Sequence, residues 1–145
     1  MVVIGGLAVI LHGGDHNTKD ADFVVVRRRE NARIVASVLA PYHPKPIDWP
    51  TDLPFIWDEE AIMRSTVLTL DTDLCRVDLL AEPDGAPAYP QLKASAIPVD
   101  MDGRTVFVAS IDDLISMKRA AGRPKDMAHI AELETLKRLI ADEDA

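Results

Sequence analysis

The chemistry this sequence offers lies in three aspartates, one lysine and a pair of glycines. Asp20 and Asp22 open the β-type run Phe23-Val24-Val25-Val26. Side chains two apart on a strand share a face, so the two carboxylates point the same way. They repel each other unless a cation sits between them. Gly5-Gly6 links the strand-like Val2-Val3-Ile4 to the apolar helical stretch Leu7 to His12. A glycine turn at such a helix start offers backbone N–H groups to an anion. A cation site beside an anion site suits metal-bound phosphate.

Asp78 lies in Cys75-Arg76-Val77-Asp78-Leu79-Leu80, a run otherwise fit for a buried strand. A carboxylate there is costly unless it is paired or bound to a metal. Two partners are open to it: a cation shared with Asp20 and Asp22, or Arg76, two residues back on the same face. Three carboxylates converging from two strands suit Mg²⁺ or Mn²⁺, hard cations that prefer oxygen ligands and keep some waters. Two such ions activate a hydroxyl and stabilise a leaving pyrophosphate in an in-line displacement. Each motif also has a plainer reading, since Asp is common where loops become strands and Gly-Gly is often only a tight turn.

The elements that must position these residues follow from periodicity and punctuation. Glu30 to Leu39 reads as a helix with Ile34, Val35, Val38 and Leu39 on its apolar face, stopped by Pro41. Five prolines between Pro41 and Pro54 predict an extended loop. Asp58 to Arg64 suits a short helix with an acidic first turn. Thr66 to Leu70 and Leu74 to Leu80 read as a hairpin across Asp71-Thr72-Asp73, followed by a loop over Ala81 to Pro90. A second hairpin pairs Ile97–Val99 with Thr105–Val108 around Asp102-Gly103. Ser110 is placed to cap a helix, with Asp113 at the capping-box position and Gly122 as its stop. Asp126 to about Ile140 forms the last helix, its apolar face Ala128, Ala131, Leu133, Leu136 and Leu139 or Ile140. The acidic end, Asp142 to Asp144, is expected to fray.

The chain of 145 residues is long enough to bury a core, and its 48% apolar and 28% charged residues are those of a globular protein. One domain is expected over 1–145, with a core over 1–82 and a hairpin and helix-loop-helix over 95–141. No apolar run is long enough to span a bilayer, and no basic n-region precedes the first strand. With the lone Cys75, this predicts a reduced cytoplasmic setting and no membrane partner. A net charge of −8 argues against a broad nucleic-acid surface. Two local basic clusters, Arg27-Arg28-Arg29 and Lys118, Arg119, Arg123, Lys125, remain compatible with a nucleotide or one end of an RNA.

Taken together, Val3-Ile4-Gly5-Gly6-Leu7-Ala8-Val9, His12-Gly13, Thr18-x-Asp20-x-Asp22 and Arg76-Val77-Asp78-Leu79-Leu80 resemble the polymerase-β-like nucleotidyltransferase superfamily. More narrowly, the chain resembles small bacterial nucleotidyltransferases related to AbiEii-type toxins. The segment Ser110 to Lys118, continued by Ala121-Gly122-Arg123-Pro124-Lys125-Asp126, is similar to the helix-loop-helix that ends many of them. The resemblance covers nearly the whole chain. It implies an α/β (α+β) fold, a mixed twisted sheet flanked by helices. It implies metal-dependent transfer of a nucleoside monophosphate from an NTP to an acceptor hydroxyl, left open among an RNA end, a protein and a small molecule.

On that resemblance Asp20, Asp22 and Asp78 hold the metal, with Asp78 nearest to a base. Gly5, Gly6 and Thr18 bind the triphosphate, Lys118 neutralises phosphate charge, and Arg123, Lys125 and Asp126 lie beside the nucleotide. A toxin–antitoxin or defence setting with a toxin or antitoxin partner is implied by resemblance alone. The alternative is a non-catalytic nucleotide-binding or antitoxin-type protein of the same fold. Three departures stand out: Gly6 replaces a frequent Ser, His16 replaces a frequent Arg, and the chain begins in the strand that a helix usually precedes. A missing helix would expose apolar surface and favour a homodimer.

Lesser candidates have ordinary readings. His12 suits a satisfied core histidine and Cys75 a core position. Trp49, Phe55 and Trp57 either pin the proline-rich loop or stack on a base. Arg27 to Arg29 is either a solvated strand end or a contact for an RNA acceptor.

Overall fold

The computed structural model describes residues 1–145. Its strands are β1 (Val2–Ile4), β2 (Asp20–Val24), β3 (Lys45–Pro46), β4 (Val67–Asp71), β5 (Arg76–Leu80), β6 (Ile97–Met101) and β7 (Arg104–Val108). They form a mixed sheet in the order β3-β4-β5-β2-β1-β7-β6. Its helices are α1 (Gly5–Leu11), α2 (Arg29–Leu39), α3 (Glu59–Met63), α4 (Tyr89–Ser95), α5 (Ile111–Ala121) and α6 (Pro124–Glu143). No helix is long and apolar enough to cross a membrane.

Register divides the sheet's side chains into two layers. β2 and β5 run parallel, with Asp20 opposite Arg76, Asp22 opposite Asp78 and Val24 opposite Leu80. By alternation these six share one face. On that face Val24 and Leu80 pack into the larger apolar cluster, with Ala8 and Val9 of α1, Leu114 and Ile115 of α5, and Ile130 and Leu133 of α6. On the other face Val77 and Leu79 meet Ala32, Val35 and Ala36 of α2 and Ile62 of α3. Asp22 and Asp78 therefore occupy positions that their strands otherwise give to core residues.

The cap at the start of α5 is half of the expected box. Ser110 Oγ accepts from the Asp113 N–H at 3.1 Å. The Asp113 carboxylate turns instead to the Ser95 hydroxyl, 2.6 Å away, tying α4 to α5. Gly122 closes α5 in the left-handed conformation.

Several expectations need correction. Ile34 and Val38 are 57% and 61% exposed, because Ala32, Val35 and Ala36 form the stripe of α2 that meets the sheet. With Met1 they rim an apolar groove over Phe23, Val77 and Leu79. Residues 89–95 are a helix rather than the end of a loop, held by fully buried Leu92. Lys45–Pro46 pairs with Leu70–Asp71 at the sheet edge, where a proline is tolerated. In α6 the buried face is Asp126, Ile130 and Leu133, while Ala128 and Ala131 are exposed. That helix starts at Pro124 and continues to Glu143, past the point where fraying was expected.

Leu133 is 0% exposed at the α6 contact. Leu133→Ala is expected to cost about 2–5 kcal/mol through the cavity it leaves. Urea unfolding checks this: the midpoint should fall without a change in slope.

Candidate active site

Parallel pairing of β2 with β5 brings Asp22 and Asp78 side by side. They line a cavity of about 480 Å³ together with Ile4, Gly5, Lys118 and Arg123. Burial, then a hydrogen bond and charge repulsion from Asp78, push the Asp22 carboxyl up to about 7, with Asp20 adding to the effect and Lys118 opposing it. Asp78 Oδ1 is buried and has no hydrogen-bond partner. Arg76 does not form the ion pair considered for Asp78; its register partner is Asp20.

A divalent cation fits this donor set. The two adjacent carboxylates lack a counter-charge between them, and Asp78 Oδ1 is an orphaned buried acceptor. Asp20 is close enough to act on Asp22 electrostatically but lines a neighbouring depression with Thr18, Lys19 and Arg76. No group of three acidic, histidine or cysteine side chains forms a ready-made cage. Mg²⁺ does not require one, since it is commonly held by one or two carboxylates plus substrate phosphates and water.

The backbone of the turn requires glycine at position 5 and leaves little room at position 6. Gly5 has φ +69°, a conformation that side-chain-bearing residues rarely adopt, and a Cβ there would collide with Asp22 Oδ2. A Cβ on Gly6 would lie 3.2 Å from Thr18 Oγ1 and 3.3 Å from His16 Nε2. Thr18 and His16 would have to give by a few tenths of an ångström to admit a side chain there. Thr18 Oγ1 bonds the Asp20 backbone at 3.2 and 3.3 Å, fixing the entry to β2. Gly5→Ala is expected to cost about 1–3 kcal/mol of stability in backbone strain. It should also displace Asp22, lowering the melting temperature and activity together.

Lys118 enters the cavity from α5 and is 6% exposed. Burial lowers its pKa, while Asp126, 3.8 Å away, favours the charged form. Asp126 is 0% exposed and does not line the cavity. It accepts from the Arg123 backbone N–H at 3.1 Å and from Arg123 Nε at 2.8 Å. Burial works to raise the Asp126 pKa, but these bonds outweigh it and hold the carboxyl below its usual range. Asp126 thus aims Arg123 and Lys118, and Arg123 itself reaches the cavity. Lys125 is exposed and stands outside the cavity lining, close enough to act on Lys118 by charge.

Residues 1–143 match the model of a family described as "Nucleotidyltransferase of unknown function (DUF6036)". The chain belongs to this family. The DUF6036 fold aligns with the lincosamide antibiotic adenylyltransferase LnuA, solved with lincomycin bound, at a TM-score of 0.58 and 14% identity. That alignment covers 93% of this chain and 85% of LnuA. A Thermotoga maritima protein, TM1012, provisionally assigned as a nucleotidyltransferase, aligns at a TM-score of 0.46 and 18% identity. It covers 97% of this chain and 81% of TM1012. No curated protein sequence matches significantly. The likeness to LnuA establishes the mixed-sheet nucleotidyltransferase fold.

The remaining candidates have structural partners. His12 Nε2 lies 2.8 Å from the Ala109 carbonyl, and Trp57 Nε1 donates to the Ala36 carbonyl at 2.8 Å. Phe55 lies between Trp49 and Trp57, so the aromatics fasten the proline-rich loop. Arg27 donates to the Met63 carbonyl at 3.1 Å, and Arg29 pairs with Glu60. Sequence reasoning gave His129 no role, yet its Nδ1 lies 2.9 Å from Lys118 Nζ. Nothing local in α6 signals that contact, which depends on how α5 and α6 pack.

Proposed function

We propose that this DUF6036 protein transfers a nucleoside monophosphate from an NTP to an acceptor hydroxyl and releases pyrophosphate. The observation that carries the reading is the orphaned Asp78 Oδ1 beside Asp22, in a cavity that Lys118 and Arg123 also line. Asp22 and Asp78, with Asp20 at the rim, would hold Mg²⁺ or Mn²⁺. Such an ion supplies charge neutralisation at the phosphates and lowers the pKa of a bound hydroxyl. Gly5, Gly6 and Thr18 cradle the triphosphate end, and Lys118 offsets negative charge that builds on the leaving group. Asp78 takes the acceptor proton as the hydroxyl oxygen attacks the α-phosphorus and the α–β phosphoanhydride bond breaks. Positioning and charge stabilisation supply most of the rate in this chemistry.

The cavity also carries Glu82 and Asp84, two exposed carboxylates on the loop after β5. That loop is fastened to α5 by the Ser116 hydroxyl, which donates to the Gly85 carbonyl at 2.6 Å. Acidic groups at this rim favour a neutral or cationic small hydroxyl compound over an RNA end. A toxin–antitoxin or defence setting rests on the resemblance to AbiEii-related proteins and would pair this activity with a protein partner.

Incubating the protein with each α-labelled NTP and Mg²⁺, with total RNA, protein extract or amine-bearing small molecules as acceptors, tests the reading. Label should pass to an acceptor only in the presence of the metal. Binding of NTP without label transfer to any acceptor class would favour the non-catalytic nucleotide-binding protein instead.

A further inference from the structure

We infer that His129 is a positioning residue that holds the Lys118 ammonium in the cavity. The inference rests on the nucleotidyl-transfer reading only for what Lys118 then touches. Lysine has a flexible four-carbon stem, so a buried ammonium needs partners that fix its direction. Asp126 supplies charge at 3.8 Å, beyond a normal hydrogen bond. His129 Nδ1, at 2.9 Å, supplies the direction.

An ammonium can only donate, so His129 Nδ1 must accept. The ring is then neutral, with its proton on Nε2. Its surroundings favour that form: burial, then Lys118 and His16, lower the His129 pKa, while Asp126 and Glu132 oppose them. A neutral acceptor orients the ammonium without cancelling its charge, which a carboxylate at the same distance would do.

The ring is itself held in place. His16 stacks on it with centroids 4.5 Å apart and planes 25° from parallel. His16 Nδ1 lies 3.3 Å from Glu132 Oε2 without forming a hydrogen bond, while Glu132 Oε1 accepts from the Asp15 N–H at 2.6 Å. The loop between α1 and β2 is thereby clamped to α6. His16 Nε2 reaches the space beside Gly6, so one packed chain of groups joins the glycine turn to the lysine.

Two substitutions separate this role from bulk packing. In His129→Asn the amide oxygen stands near the Nδ1 position and can accept, whereas His129→Leu fills the space and cannot. His129→Leu should raise the NTP KM about tenfold, in keeping with loss of one charged hydrogen bond. His129→Asn should stay within about threefold of the wild type. A His129→Leu protein that melts like the wild type and keeps its NTP KM overturns the inference.

Nitrogen NMR of the histidine rings decides the geometry whether or not transfer occurs. His129 should be the Nε2–H tautomer in the wild type and lose that bias in Lys118→Met. A proton on His129 Nδ1 at neutral pH overturns the inference, while absence of label transfer alone overturns only the proposed reaction.

Discussion

Asp22→Asn should abolish nucleotidyl transfer and at the same time make the protein more stable at pH 8. The activity loss follows from removing one of two adjacent carboxylates that face the same cavity as Lys118. A fall of about 10³-fold or more is expected for a group that organises charge at the reacting phosphates. The stability gain follows from the raised Asp22 pKa of about 7. Between its unfolded value near 4 and about 7, the folded state binds more protons than the unfolded state. Wild-type stability therefore declines as pH rises through that window. Asn cannot ionise, so its protein should lack the decline. Thermal melts at pH 5 and pH 8, without metal, measure it: the wild type should lose more stability relative to Asp22→Asn at pH 8 than at pH 5. Mg²⁺ should raise the wild-type melting temperature at pH 8 and leave Asp22→Asn nearly unmoved. Equal Mg²⁺ responses would remove Asp22 from the metal site.

Lys118→Met should lower kcat/KM about 10²–10³-fold if, as proposed, this buried cation of the cavity neutralises the triphosphate. Met keeps much of the lysine's apolar stem, so the α5–α6 contact remains filled. Folding should suffer little, because burial already disfavours the lysine's charge and Arg123 still pairs with Asp126. Steady-state kinetics with varied NTP, alongside a melting curve, separate the two effects. An unchanged kcat/KM would place the phosphate elsewhere. Loss of fold would show that the ammonium chiefly serves Asp126.

Much of the site could be read directly from the sequence. The two-residue spacing of Asp20 and Asp22 placed them on one face, and the apolar run around Asp78 marked it as a costly carboxylate on a buried strand. Ser110 and Gly122 bounded α5 correctly, because caps are local chemistry. What depends on packing between distant elements was not legible. His129 gains its role from Lys118, eleven residues away across a turn, and His16 gains its role from stacking on His129. Ile34 and Val38 looked like core by periodicity, yet α2 presents alanines to the sheet. The short α4, with proline near its start and one fully buried leucine, resembled a loop because it has too few turns to show a period.

The order in which the parts of this site are synthesised differs from the order in which they are needed. β1 carries the glycine turn and lies between β2 and β7 in the sheet. Asp22 and Asp78 belong to strands made in the first part of translation, whereas β7, Lys118 and the helix bearing His129 come late. Until β7 emerges, one edge of β1 has no strand beside it. Until α5 and α6 dock, the acid pair faces water with no cation opposite. Chains fold from the N-terminus as they are made, so the nascent chain holds its carboxylates before it can hold a nucleotide. A ribosome stalled before α6 would therefore display the acid pair without Lys118's partner His129.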